Sequence, residues 1–198
     1  MPPPPASFDW EFATFGDPSL VHLFTEAERF ADETARGQKP RWLTLSGRSG
    51  VGKTHLARKL KEFWMTRSGF RKVSGRVGTI LSRLDCRFVS WRRFIERQRA
   101  GGFTEIVELC ELPFVIVDDI GAEYDPNGFA RARLDELLDA RLGKWTVITT
   151  NLRLSEIGEQ LDTRISSRML RGGSIFAETT ATDYNLRPRM VKNQECLP

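Results

Sequence analysis

The chain is poor in cysteine: Cys86, Cys110 and Cys196 are its only three, an odd number with no C-x-x-C spacing. That usage argues against a disulfide framework or a thiolate metal site and suits the reducing cytoplasm. No apolar run approaches the roughly 18 residues of a membrane-spanning helix, so no membrane is expected. The opening MPPPPASFDW has neither the basic region nor the apolar stretch of a signal peptide, and Pro2–Pro5 reads as an extended or disordered leader. An excess of one charge is also missing. The balance of 30 Lys+Arg against 26 Asp+Glu leaves +4, a mild basicity that suits a nucleic-acid partner without demanding one. What remains is an ordinary globular composition, 40% hydrophobic and 28% charged, with length enough for one domain and a sizeable core.

Against that background residues 47–54, GRSGVGKT, stand out. They fit G-x-x-x-x-G-K-[ST] with Gly47, Gly52, Lys53 and Thr54 at the fixed positions. Arg41–Ser46 (RWLTLS) predicts a short buried strand before the motif, and Lys53 to about Met65 predicts a helix after it. This is the strand–loop–helix setting that a phosphate-binding loop needs. Glycines let successive backbone N–H groups turn inward around phosphate oxygens, where a Cβ would block the approach or forbid the φ angle. The N-terminus of the following helix adds partial positive charge. The expectation is a nucleoside triphosphate site built from Gly47, Arg48, Ser49, Gly50, Val51, Gly52, Lys53 and Thr54. Lys53 would reach the β- and γ-phosphates and the Thr54 hydroxyl would ligate Mg²⁺.

A second motif follows at Pro113–Gly121 (PFVIVDDIG). Phe114–Val117 is an uninterrupted run of β-favouring apolar residues, as in a central parallel strand covered on both faces. Two carboxylates stand at its C-terminal end, where ligands bind in open α/β sheets. In this Walker B arrangement Asp118 would hold Mg²⁺, directly or through water, and Asp119 would orient the water that attacks the γ-phosphate. An Asp–Asp turn after a buried strand is the bland alternative, and the preceding P-loop argues against it. A further strand, Trp145–Thr150 (WTVITT), ends at Asn151. That residue is either a sensor of the γ-phosphate and the attacking water or the opening of a turn before Ser155–Gln160.

In LDTRISSRML, residues 161–170, Arg164 and Arg168 share one face if the segment is helical. A rigid guanidinium fork offered across a subunit boundary would stabilise charge on a transferring phosphoryl group; two solvated arginines are the alternative. Two basic segments are candidates for nucleic-acid contact. One is the glycine-containing Arg67–Asp85, with Arg71 and Lys72. The other is Trp91–Arg99 (WRRFIERQR), with Arg92, Arg93 and Arg97. Their cations would release counterions from a phosphate backbone, and Trp91 or Phe94 would stack on a base. Alternatively Trp91 and Phe94 form a buried stripe and the arginines its wet face, the reading preferred for the two aromatics.

Taken together, GRSGVGKTHLA, VIVDDIGAE, TVITTNL and LDTRISSRML resemble the Walker A, Walker B, sensor 1 and box VII segments of AAA+ ATPases. The similarity is to the bacterial helicase-loader and initiator clade, with its DnaC-type loaders and IstB-type transposition relatives. The resemblance runs from about Phe8 to about Arg187. It implies ATP and Mg²⁺ as ligands, His55 as part of the GKTH form of the nucleotide loop, Asn151 as sensor 1, Arg168 as a finger acting in trans and Arg164 as its support. Phe12 and Phe15 fall where such proteins cradle adenine, or are core residues. Asp119 stands where many AAA+ proteins have glutamate, one methylene longer, which implies slow hydrolysis. The implied activity is that of a DNA-stimulated ATPase in a homo-oligomer with ATP at its subunit interfaces. Single-stranded DNA and a replicative helicase, or a transposase on duplex DNA, are the implied partners; a non-hydrolysing nucleotide-gated adaptor is the remaining alternative.

The expected architecture is α/β: a three-layer αβα P-loop core with a five-stranded parallel sheet and little or no helical lid. A leader at 1–7, an AAA+ domain at 8–187 and a tail at 188–198 are expected, without the separate helicase-gripping domain of the loaders. Strand Arg87–Ser90, a helix from Trp91, strand Phe114–Val117, helix Phe129–Leu142 and strand Trp145–Thr150 alternate as βαβ units. Leu134, Leu137, Leu138 and Leu142 are expected on one helix face, and the last strand over Ser174–Glu178.

Overall fold

The structure is a computed structural model that describes residues 17–66, 71–73, 76–78, 86–101 and 104–183. It begins with α1, Pro18–Ala35, a helix beyond those expected from the sequence. Asp17 caps it by accepting from the Ser19 amide at 3.0 Å, and Pro18 opens the first turn, where its missing N–H costs nothing. Leu20, Leu23, Phe24, Ala27, Phe30 and Ala31 recur at helical spacing and are all buried.

The strands are β1 (Trp42–Gly47), β2 (Arg71–Val73), β3 (Arg76–Gly78), β4 (Cys86–Ser90), β5 (Phe114–Ile120), β6 (Trp145–Thr150) and β7 (Ile175–Thr179). Between them lie α2 (Lys53–Thr66), α3 (Trp91–Arg99), α4 (Thr104–Glu111), α5 (Phe129–Ala140), α6 (Leu154–Gln160) and α7 (Thr163–Leu170). Five strands form one parallel sheet in the order β4-β5-β6-β1-β7. β2 and β3 pair separately as an antiparallel ribbon inside the basic 67–85 segment.

Because strand side chains alternate faces, the sheet feeds two cores. Leu43 and Leu45 of β1 and Phe114 and Ile116 of β5 pack with α1 and α2. Val115 and Val117 of β5 and Ile148 of β6 pack with α3, α4, α5, α6 and α7. This is the expected three-layer arrangement. The first core is aromatic: Phe30 meets Trp145 edge-on at 5.2 Å, and Trp64 lies 4.7 Å from Phe114. Such pairs add about 0.5–1.5 kcal/mol each beyond their buried area. In the second, Arg141 is fully buried. Its guanidinium donates to the carbonyls of Leu109 (3.0 Å), Leu112 (2.5 Å) and Trp145 (2.6 Å), and to Thr146 Oγ1 (3.0 Å). Burial lowers its pKa to about 10. It ties the α4–β5 turn to the start of β6.

Four expectations need adjustment. β5 runs to Ile120 rather than stopping at Val117, so both aspartates lie on the strand itself. α5 ends at Ala140, and Leu142 is exposed rather than part of the apolar face, because the chain has left the helix before reaching it. β1 and β7 are each shifted one residue, to Trp42–Gly47 and Ile175–Thr179. Among the described residues no helix follows β7, and no helix is long and apolar enough to cross a membrane. Phe12 and Phe15 lie outside the described residues.

Candidate nucleotide site

β1, β5 and β6 are neighbours in the sheet, so the ends carrying Gly47, Asp118 and Asn151 emerge side by side. After β1 the loop turns through positive φ at Gly47, Gly50 and Gly52 before α2 begins at Lys53. Gly47 has no room for a side chain: a Cβ there would come within 2.6 Å of Thr179 Cγ2 and 2.9 Å of the Thr179 carbonyl oxygen, while one on Gly50 would meet the carboxylate end of the Asp183 side chain. The segment leaving β7 therefore lies against the loop. Val51 is a core residue, while Arg48, Ser49 and His55 are exposed.

Lys53 is buried, at 6% exposure, and its Nζ donates to the carbonyls of Gly47 (2.7 Å) and Arg48 (2.8 Å) and to Asn151 Oδ1 (2.9 Å). Burial pulls its pKa down to about 8, against the attraction of Asp119 and Asp118. None of its bonds is to a carboxylate, so its charge is not neutralised by direct pairing. The other end of the Asn151 amide, Nδ2, donates to Asp119 Oδ1 at 3.2 Å. The amide orientation is fixed by its partners, since an ammonium only donates and a carboxylate only accepts.

Asp118 and Asp119 occupy different environments. Asp118 Oδ1 accepts from Thr54 Oγ1 at 2.9 Å and from Thr149 Oγ1 at 2.7 Å. Thr149 Oγ1 in turn accepts from the Asp119 amide at 2.8 Å. Asp119 has φ 64° and sits where the β5–β6 register shifts between Val117 and Ile120. This bulge re-aims its side chain, at a backbone cost of about 1–3 kcal/mol that aspartate bears better than most residues. Burial raises the Asp119 pKa, and repulsion from Asp118 adds to it; Lys53 and Arg92 act in the opposite direction.

Glu123 is a site neighbour that sequence reasoning missed. Its carboxylate accepts from Trp91 Nε1 at 3.0 Å and from the Gly121 amide at 2.8 Å, fixing the loop after β5 to the start of α3. Burial raises its pKa. A glutamate in a loop carries no sequence signal for such a role.

The remaining candidates lie elsewhere. Trp91 and Phe94 are buried and stacked on each other at 5.2 Å, so neither is available to a nucleic-acid base and the buried-stripe reading holds. Arg92, Arg93 and Arg97 are on the exposed face of α3, with Arg92 Nε 3.3 Å from Glu96 Oε1. Arg71 and Lys72 belong to β2; their side chains lie outside the described part. Arg164 is exposed on α7. Arg168, one turn on, pairs with Asp135 and, at 2.9 Å, with Asp139, both on α5. Thr163, Arg164, Ser167, Arg168 and Arg171 line an open cleft of about 360 Å³.

The family model of the IstB-like ATP binding proteins matches residues 6–171, most of the chain. The chain belongs to this family. This IstB-like chain shares its fold with a crystal structure of DnaI, at 20% identity and a TM-score of 0.66, covering 85% of this chain and 86% of that one. The corresponding values for a crystal structure of the DnaC helicase loader are 20% and 0.62, covering 82% and 90%. A structure of the replication initiator DnaA bound to AMPPCP and single-stranded DNA is 16% identical with a TM-score of 0.55, covering 79% of this chain and 46% of that one. No curated protein matches the sequence. The parallel sheet of this IstB-like chain, in the order β4-β5-β6-β1-β7, belongs to the fold it shares with DnaI and DnaC.

Proposed function

We propose that this IstB-like protein binds and hydrolyses ATP with Mg²⁺, in an oligomer of identical copies assembled on DNA. The observation that carries the reading is the hydrogen-bonded chain Lys53–Asn151–Asp119, with the Thr54–Asp118 pair beside it. The arrangement puts a cation, an amide, a strained carboxylate and a hydroxyl–carboxylate pair at one end of one sheet. Lys53 would exchange its loop carbonyls for phosphate oxygens. Asp119, turned out at its bulge, accepts a hydrogen bond from the attacking water, and Asn151 holds that carboxylate in place. Thr54 and Asp118 offer adjacent hard oxygen donors, the set that suits Mg²⁺. When bound with nucleotide, the ion supplies positive charge to the β- and γ-phosphate oxygens.

Arg168 is the proposed finger for a neighbouring copy's site, supported by Arg164. In the single chain two of its N–H groups are held by Asp135 and Asp139, whose charges oppose an incoming phosphate. Engagement with a neighbour therefore requires these ion pairs to be exchanged. Hydrolysis by the isolated chain is expected to be slow.

The exposed arginines of α3 support DNA as the partner, and the DnaA neighbour is a protein bound to single-stranded DNA. The first reading is a cytoplasmic helicase-loader-like ATPase on single strands. The family match favours a second, an IstB-like helper that acts on duplex DNA with a transposase. Binding of single-stranded against duplex DNA, measured with ATP and Mg²⁺, separates them: preference for single strands supports the loader reading, and preference for duplex supports the helper.

A further inference from the structure

With Trp91 and Phe94 buried, the exposed aromatic beside α3 among the described residues is Tyr124, at 80% exposure. So little of the ring is covered that it contributes almost nothing to the core. The backbone carrying it is nevertheless held on both sides. On one side Glu123 accepts from Trp91 Nε1 and the Gly121 amide. On the other, the Asp125 carboxylate accepts from the amides of Ala130 (2.9 Å) and Arg131 (3.0 Å) at the start of α5. Arg99 Nη2 then donates to the Tyr124 carbonyl itself at 2.8 Å and to Asp125 Oδ1 at 3.2 Å. The ring is thus displayed on a loop whose ordering cost has already been met in folding, the condition under which an exposed side chain binds with least entropic loss.

The surroundings decide the ligand. Arg92, Arg93 and Arg97 are exposed on the helix that anchors this loop, and Arg99 ends it. Of the acids nearby, Glu96 is paired with Arg92 and Asp125 is engaged as described. A flat aromatic beside arginines on a mildly basic chain complements a polyanion that carries flat rings. In a duplex those rings are already stacked on their neighbours, whereas a single strand leaves them free. We infer that Tyr124 is a stacking platform for an unpaired base of single-stranded nucleic acid, with the α3 arginines on the adjoining phosphates. The inference rests on the proposed binding of DNA and names the residue that would make it specific for single strands.

The test uses the full chain with ATP and Mg²⁺, and a fluorescein-labelled thymidine homopolymer followed by anisotropy. Tyr124→Ala is expected to weaken binding about 5- to 150-fold, the range for loss of one base–aromatic stack. Tyr124→Phe is expected to retain it, and neither change should move the melting temperature or the affinity for ATP. Arg93→Ala should instead flatten the salt dependence, by about 0.7 in log–log slope for one phosphate. Wild-type affinity in Tyr124→Ala, with weakened binding in Arg93→Ala, would overturn the stacking platform and leave the DNA reading standing. Equal losses on single-stranded and duplex DNA would also overturn it. No single-strand binding by the wild type would remove the platform and the loader reading together.

Discussion

Asn151 donates from Nδ2 to Asp119 Oδ1 at 3.2 Å, and the same amide accepts from Lys53 through Oδ1 at 2.9 Å. One short side chain at the end of β6 therefore orients both the proposed water-orienting carboxylate and the proposed phosphate-binding cation. Asn151→Ala is expected to keep nucleotide binding within a few-fold while slowing single-turnover hydrolysis about 100-fold, the scale for loss of one preorganised polar group. Asn151→Asp should be no better, because it sets a second negative charge beside Asp119. Single-turnover rates with ATP affinities measured in parallel check this, and full turnover in Asn151→Ala would remove the sensor role.

Lys53 gives a pH dependence whose sign follows from its environment. Burial lowers its pKa from 10.5 to about 8, so the folded chain without nucleotide disfavours the charged form. Between about pH 8 and 10.5 the unfolded state binds this proton more readily than the folded state does. The Lys53 contribution to stability therefore rises with pH across that window, recovering a penalty fully present below it. ATP affinity should move the other way above pH 8, as the cation that meets the phosphates is lost. Thermal melts of the wild type against Lys53→Met across this range, paired with nucleotide titrations, read both signs.

Arg168→Ala should leave ATP binding intact and abolish DNA-stimulated turnover, with a loss of about 1,000-fold or more, the scale for an arginine finger. Asp139→Asn removes one competing charge from the guanidinium and should raise turnover at low protein concentration. If Arg168 only ties α7 to α5, Asp139→Asn would instead lower the melting temperature and leave turnover unchanged. Activity assays across a protein dilution series distinguish these results.

Arg141 makes a prediction for stability alone. Arg141→Met leaves the carbonyls of Leu109 and Leu112 without this donor inside the second core. Each buried polar group left unsatisfied costs about 1–3 kcal/mol, so a loss of about 3 kcal/mol or more is expected in urea unfolding. Arg141→Lys should recover little of it, because an ammonium lacks the planar fork that reaches several carbonyls at once.

The P-loop strand and helix, the Asp118–Asp119 strand and the strand ending at Asn151 were legible because backbone geometry dictates residue type at fixed spacing. Glycines turn, an apolar run makes a central strand, and polar residues gather at its end. The helix Pro18–Ala35 also carried its signals, an Asp–Pro cap and an apolar stripe from Leu20, but lay outside the motifs that guided the reading. Other features depend on partners far along the chain. Nothing near Arg168 announces Asp135 and Asp139, and nothing near Arg141 announces the carbonyls of Leu109 and Leu112. The bulge at Asp119 arises from pairing with β6, and local sequence gives no warning of it. Trp91 and Phe94 showed helical spacing that suits a core or a binding face, and only packing decides between them.

The most direct measurement is ATP turnover by the wild-type chain over a wide range of protein concentrations, alone, with single-stranded DNA and with duplex DNA. Sites completed by a neighbour's Arg168 require turnover per chain to rise steeply with concentration, and the loader reading requires single strands to steepen it further. Turnover per chain that stays near zero at every concentration despite tight ATP binding, with either DNA present, would contradict shared catalytic sites and leave a nucleotide-gated adaptor.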